Sequence, residues 1–151
     1  MSIDKRLEEL GITLPEAAAP VASYRPLVVV GGTAHLSGQL PFQNGKLVTG
    51  RLGADVSLET GQQAARACGL MILAQLRAAG LLGRVEQVVK LGAFVASTPD
   101  FHDQPKVANG ASDLMFEVFG EAGRHARSAV GVAVLPLNAA VEVDAVIALR
   151  N

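Results

Sequence analysis

The clearest alternation of apolar and polar positions lies in the last quarter of the chain. From Val141 to Leu149 the odd positions read Val141, Val143, Ala145, Ile147 and Leu149, with Glu142 and Asp144 between them. A period of two predicts a strand, and this stripe alternates too well to be left in water. Upstream, Gly123 to Leu135 ends in a second alternating stretch, predicting a strand over Arg127–Leu135. Its even positions are Ser128, Val130, Val132 and Val134; its odd positions are Arg127, Ala129, Gly131 and Ala133. Side chains alternate faces along a strand, so one face is β-branched and core-like. The other is nearly bare, leaving room for a ligand or another backbone. A turn around Pro136–Ala140 links the two strands. If they form a direct hairpin around Asn138, Glu142 lies near Val134, seven residues from Arg127. That is roughly 23 Å along one sheet.

Helical spacing appears twice. Leu58, Ala65, Cys68, Ile72, Leu76 and Ala79 form one stripe, opened by Ser57 as N-cap and closed by Gly80. Val107, Ala111, Leu114 and Val118 form another, predicting a helix from about Asp103 to Phe119 that Gly120 ends. Ser2–Leu10 reads as a short helix with Ile3, Leu7 and Leu10 on one face, and Leu14–Pro26 as an extended arm. Leu27–Val30, Thr33–Leu40, Lys46–Thr49 and Val88–Ala96 read as further strands, with Gly31-Gly32 and Asn44-Gly45 as turns. The sum is an α/β chain: a helix and arm over residues 1–26, then one domain over 27–151. The expected architecture is a single mixed sheet with two helices on one face. The opposite face needs cover from elsewhere, and a second subunit is the simplest source.

Composition narrows the possibilities. Half of the 151 residues are apolar and Trp is absent, so the core is aliphatic. A net charge of −1, with basic residues spread along the chain, lacks the footprint of a nucleic-acid binder. The lone Cys68 excludes an intrachain disulfide and a cysteine zinc site, and reads as a buried thiol. No apolar leader or membrane-length run is present, so a soluble, cytoplasmic protein is expected. His35, His102 and His125 lack metal-site spacing, and no phosphate loop, dinucleotide fingerprint or serine elbow occurs. Neither metal nor cofactor is therefore expected.

The remaining candidates are polar residues beside apolar strands. Arg127 is a fork suited to a carboxylate or phosphate, or a solvated strand end. Glu142 is paired, turned to water at a strand end, or functional. Ser37-Gly38-Gln39 puts a glycine inside a strand, a mark of close approach by ligand or backbone. Asn109 lies off its helix's apolar stripe, and the only tyrosine, Tyr24, sits in the proline-rich arm.

Taken in order, Tyr24, Ser37-Gly38-Gln39-Leu40-Pro41, Asn109, Ala126-Arg127-Ser128-Ala129-Val130, Leu135-Pro136 and Val141-Glu142-Val143 resemble the Rid (YjgF) family. The wording around Gly123–Gly131, with Leu7-Glu8-Glu9-Leu10-Gly11-Ile12 near the start, is similar to its "endoribonuclease L-PSP, chorismate mutase-like" branch. The resemblance implies a chorismate-mutase-like fold, a barrel-like homotrimer and clefts between subunits. For the deaminase branch it implies hydrolysis of 2-imino or 2-enamino acids to 2-oxo acids and ammonia, without a cofactor. In that case Arg127 grips the substrate carboxylate and Glu142 orients water or shuttles protons. Tyr24, Asn109 and the Ser37-Gly38 backbone line the cleft.

Two departures also fall at the cleft. Ala129 stands where deaminase members commonly carry cysteine, and Ala22-Ser23-Tyr24-Arg25-Pro26 stands where they usually have Gly-Pro-Tyr-Ser-Gln, with Arg25 and His125 adding positive charge. They leave open a non-catalytic carboxylate-binding or sensing module of the same fold, whereas the composition argues against a ribonuclease. The strand spacing adds a separate expectation: Arg127 and Glu142 serve one small ligand only if they come from different subunits. One closed pocket holding both residues of a single chain would refute it.

Overall fold

The computed structural model describes residues 2–19 and 22–151. Helix α1 (Ile3–Glu9) starts where the Ser2 hydroxyl accepts from the Lys5 amide. It packs on the second half of the chain: Leu7 is buried, and Arg6 Nε donates to the Glu117 carbonyl at 2.9 Å. Strands β1 (Leu27–Val30) and β2 (Thr33–Gln39) then form an antiparallel pair. The Asn44-Gly45 turn, both residues at positive φ, closes a hairpin of β3 (Phe42–Gln43) and β4 (Lys46–Leu47). That hairpin is a separate small sheet, and its return strand is shorter than the predicted Lys46–Thr49.

Helix α2 (Leu58–Ala78) begins at the predicted Ser57 cap, and Gly80, at φ 73°, follows it. Strand β5 (Val85–Ala96) starts three residues before the predicted Val88. Helix α3 (Gln104–Phe119) ends at Gly120, and β6 (Ala126–Val132) stops short of the predicted Leu135. Strand β7 (Val141–Leu149) closes the fold.

The main sheet has the order β1-β2-β7-β5-β6, with only β5 and β6 parallel. It is one mixed sheet in a single-domain α/β fold with, among the described residues, three α-helices, of which α2 and α3 cover one face. The predicted direct hairpin of β6 and β7 does not occur, because β5 lies between them and pairs with both. The crossover β5–α3–β6 is the ordinary way to join parallel neighbours.

Two face assignments also change. Val141, Val143, Ala145, Ile147 and Leu149, read as needing a partner, are buried under this chain's own helices. On β6 the valine face is not the core face: Val130 stays 46% exposed, whereas Ala129 packs partly buried against the core. The small residues of β6 admit α3; a Cβ on Gly131 would press on Gln104 and Ser97 at 2.7 Å. The uncovered face carries Val28, Val30, His35, Phe94, Val130, Glu142 and Asp144, by register with one another. Among the described residues no helix is long and apolar enough to cross a membrane.

Candidate functional site

Two clusters hold the predicted residues, one on each side of the sheet. The first sits where β6 begins. Arg127 pairs in register with the buried Leu91 of β5, so its side chain leaves on the helix-covered face. There α3 presents Asn109 and Ser112, three apart and hence neighbours on one helix face. The helix is held in place by Val107, Ala108, Ala111, Leu114 and Met115 on its buried side.

Arg127 Nη1 donates to Asn109 Oδ1 at 2.8 Å and to Ser112 Oγ at 3.1 Å. Those bonds use both Nη1 hydrogens. Among the described residues Nε and Nη2 have no hydrogen-bond partner and no carboxylate pairs with the guanidinium. The free edge presents two parallel N–H groups, the geometry that takes a carboxylate side-on. A concavity of about 620 Å³ opens beside it, lined by Ser112, Asp113, Phe116, Glu117, Arg124, His125 and Arg127.

His125 stands next to this fork, and both its ring nitrogens are engaged. Nε2 is 2.8 Å from Ser112 Oγ, and Nδ1 is 2.7 Å from the Gly123 carbonyl. Ala129, two residues along the same face of β6, is partly buried against the core. Ser112 is the member that sequence reasoning missed. Its only signal was a position three residues after Asn109, which a solvated serine shares.

The second cluster lies around a bulge in β2. Leu36 pairs with Ala145 and Gln39 with Val143, so the β2 strand carries one residue more than β7 there. The bulge presses Gly38 onto Glu142: a Cβ at position 38 would overlap the carboxylate and force that side chain to move aside. Buried Gln39 and Gln75 brace it from below, Gln39 Nε2 donating to the Ser37 carbonyl at 2.9 Å and Gln75 Nε2 to Gln39 Oε1 at 3.3 Å. Ser37 fastens the arm, its amide donating to the Pro26 carbonyl at 2.9 Å and its hydroxyl to that of Arg25 at 2.8 Å. Tyr24, half exposed, joins Arg25, Val28, His35 and Ser37 around a concavity of about 560 Å³.

Glu142 is half-buried, and burial raises its pKa, with the neighbouring charge of Asp144 adding to the rise. Asp144 lies over Gly92 as Glu142 lies over Gly38, so two glycines make space for two carboxylates. Behind the strand, Cys68 is buried, and burial first, then the Glu142 charge, pushes its thiol pKa well up. It stays protonated and inert. Among the described residues no three His, Cys, Asp or Glu side chains gather as a metal site would need.

Arg127 and Glu142 do not meet within one chain. Arg127 is level with Leu91 and Ala145, so Glu142 is three residues along and two strands across. That is about 10 Å in each direction, closer than the hairpin reading gave. Yet Glu142 pairs with Phe94 and alternates with buried Val141 and Val143, which puts it on the opposite face of the sheet. The single closed pocket that would refute a shared site is therefore not what this chain forms.

Residues 4–149 match the family model described as "YjgF/chorismate mutase-like, putative endoribonuclease". The chain is 56% identical over 148 residues to Protein TCP17 of Trypanosoma cruzi, covering 96% of this chain and 92% of that one. It is 33% identical over 141 residues to a 2-iminobutanoate/2-iminopropanoate deaminase of Dermatophagoides farinae, covering 92% and 95% respectively. Among solved structures it superposes with a TM-score of 0.93 on a "putative endoribonuclease" from Shewanella oneidensis MR-1. That protein is 38% identical, and the match covers 99% of this chain and 100% of the other.

Proposed function

This chain belongs to the YjgF/chorismate mutase-like family, and from that membership we propose that it is a cytoplasmic hydrolytic deaminase of 2-imino and 2-enamino acids. The observation that carries the reading is the free Nε/Nη2 edge of Arg127, held open by Asn109 and Ser112. A fixed, unneutralised guanidinium edge beside a concavity is a receptor for a small carboxylate. The identity to a named iminobutanoate deaminase adds support for the substrate class.

The site is composite in this proposal. One copy supplies Arg127, Asn109 and Ala129; another supplies Glu142, Gly38, Ser37 and Tyr24 across the uncovered sheet face, in a homotrimer with three such clefts. The opposite-face placement of Arg127 and Glu142 supports it, since no small ligand can touch both within one chain. The apolar residues on that face, Val28, Val30 and Val130 among them, give the copies something to bury.

The chemistry asks little of the protein. An imine carbon is already electrophilic, so orientation, a placed water and a proton relay suffice. Arg127 holds the substrate carboxylate, and an enamine first takes a proton at C3 and gives one up from nitrogen to become the imine. Water attacks C2 while the Glu142 carboxylate takes its proton and the C=N electron pair moves to nitrogen. Glu142 then returns the proton to nitrogen, giving the carbinolamine. The carbinolamine hydroxyl proton next passes through Glu142 to nitrogen as the C=O bond forms and the C–N bond breaks, and ammonia leaves a 2-oxo acid. The raised pKa of Glu142 suits a group that must both take and return a proton.

A second reading, a carboxylate-binding module without turnover, is favoured by Ala129, which leaves the cleft without a thiol, and by the altered surroundings of Tyr24. The test is ammonia release from 2-iminopropanoate and 2-iminobutanoate generated in situ. The deaminase reading expects acceleration by the wild type and a loss on the order of a hundredfold in Arg127→Ala. Carboxylate binding by the wild type with no acceleration would select the second reading instead.

A further inference from the structure

We propose that Ser112 and His125 are positioning residues for Arg127, joined to it in a hydrogen-bond chain of one fixed direction. The inference rests on Arg127 being the carboxylate anchor, as argued above, and it places His125, read from the sequence as added positive charge at the cleft, behind Ser112.

The direction follows from counting donors. Arg127 has no acceptor, so its Nη1 hydrogen must be given to Ser112 Oγ at 3.1 Å. At the other end the Gly123 carbonyl has no hydrogen to give, so His125 Nδ1 must be the donor across 2.7 Å. A neutral imidazole protonated at Nδ1 has a bare Nε2, which can only accept. Ser112 Oγ therefore turns its own hydrogen to Nε2 across 2.8 Å. Each group is then satisfied once: guanidinium to hydroxyl, hydroxyl to imidazole, imidazole to carbonyl.

The chain leaves His125 with no free ring nitrogen for a ligand, so its effect on substrate passes through Ser112. What it does is hold the lone pair of Ser112 Oγ toward Arg127. With Asn109 Oδ1 on the other Nη1 hydrogen, the guanidinium plane is pinned at two points. The charged groups facing His125 are Arg127 from β6, Arg124 from the loop before it, and Asp113 and Glu117 from α3. Glu117 is engaged by Arg66 of α2, while Arg124 pairs with Glu121 and lies over the Phe116 ring. None of these contacts competes with Ser112 for Nε2.

The decisive measurement is two-dimensional ¹H–¹⁵N correlation of the histidine rings at pH 8, with His125 assigned by its loss in His125→Gln. The chain requires the Nδ1–H tautomer for His125, and Ser112→Ala, which leaves the Gly123 carbonyl in place, should keep that tautomer while shifting the Nε2 resonance as its hydrogen bond is lost. An Nε2–H tautomer in the wild type would overturn the proposal. Affinity for pyruvate, a 2-oxo acid of the product class, supplies the second readout. Ser112→Ala and His125→Phe should each weaken pyruvate about fivefold. His125→Gln, whose amide oxygen can accept from Ser112, should stay within about twofold. Wild-type affinity in Ser112→Ala and His125→Phe, beside a large loss in Arg127→Ala, would refute the positioning role alone. If Arg127→Ala binds pyruvate like the wild type, the anchor reading falls, while the tautomer still decides the hydrogen-bond chain.

Discussion

Arg127 and Glu142 show how far a residue's type determines its use. An arginine at a strand mouth is legible from the sequence as a carboxylate candidate, and the structure adds which of its donors are spent. Both Nη1 hydrogens go to α3, so the ligand edge is the remaining one. Ser112 was not legible, because a polar residue on an amphipathic helix looks the same whether it meets water or a guanidinium. Glu142 was legible as a carboxylate inside an apolar strand, though not as the partner of a bulge glycine. Its pKa, raised by burial and then by Asp144, fixes the sign of a pH effect. Glu142 must lose its proton before it can accept one from water, so kcat/KM should fall on the acid side from a point above the ordinary carboxylate range. Asp144→Asn removes one of the two causes and should shift that acid limb to lower pH. A limb unmoved by the substitution would exclude Glu142 as the titrating base. The same raised pKa means that the fold favours the protonated form. Glu142 therefore opposes stability progressively as pH climbs from the ordinary carboxylate range through its folded value.

At the scale of elements, the pieces with strong local signals are where the sequence places them. Ser57 and Gly80 bracket α2, Gly120 ends α3, and β1 and β7 have the predicted bounds. What failed was long-range. Nothing in the alternation of β6 says that β5 will slip between it and β7, because strand order is decided by the β5–α3–β6 crossover. The valine face of β6 was misjudged for a related reason. Bulk marked it as core, but Ala129 and Gly131 are small because α3 packs over them. The contact between α2 and α3 has the same character. A Cβ on Gly110 would overlap the Gln62 carbonyl and come within 3.2 Å of the Arg66 amide nitrogen, both α2 backbone groups that cannot turn aside. Gly110→Ala should therefore force the helices apart and cost about 1–3 kcal/mol. Urea denaturation checks this; a midpoint equal to wild type would show that the crossing has slack. Since α3 carries Asn109 and Ser112, the same substitution should also blunt carboxylate binding.

For the whole molecule, the arrangement is two polar clusters back to back on one sheet, which the proposed function reads as half-sites. The helix-covered side holds Arg127, tied to Asn109 and Ser112, and the uncovered side holds the Glu142 carboxylate beside Gly38. The sequence could name most members of both halves, but not their division between faces. That division depends on the bulge at Ser37–Gly38 and on the true neighbours of β7. It also turns the proposed assembly into a requirement of the chemistry, since a working cleft must draw its halves from two copies.

Subunit complementation tests that requirement most directly. Arg127→Ala and Glu142→Gln chains, each inactive alone, would be unfolded together in equal amounts, refolded, and assayed for ammonia release from 2-iminopropanoate. Random mixing around a closed ring leaves roughly one cleft in four with both halves intact, so about a quarter of wild-type activity should return. Activity in the mixture no greater than in either variant alone would show that the two residues do not share a cleft between subunits.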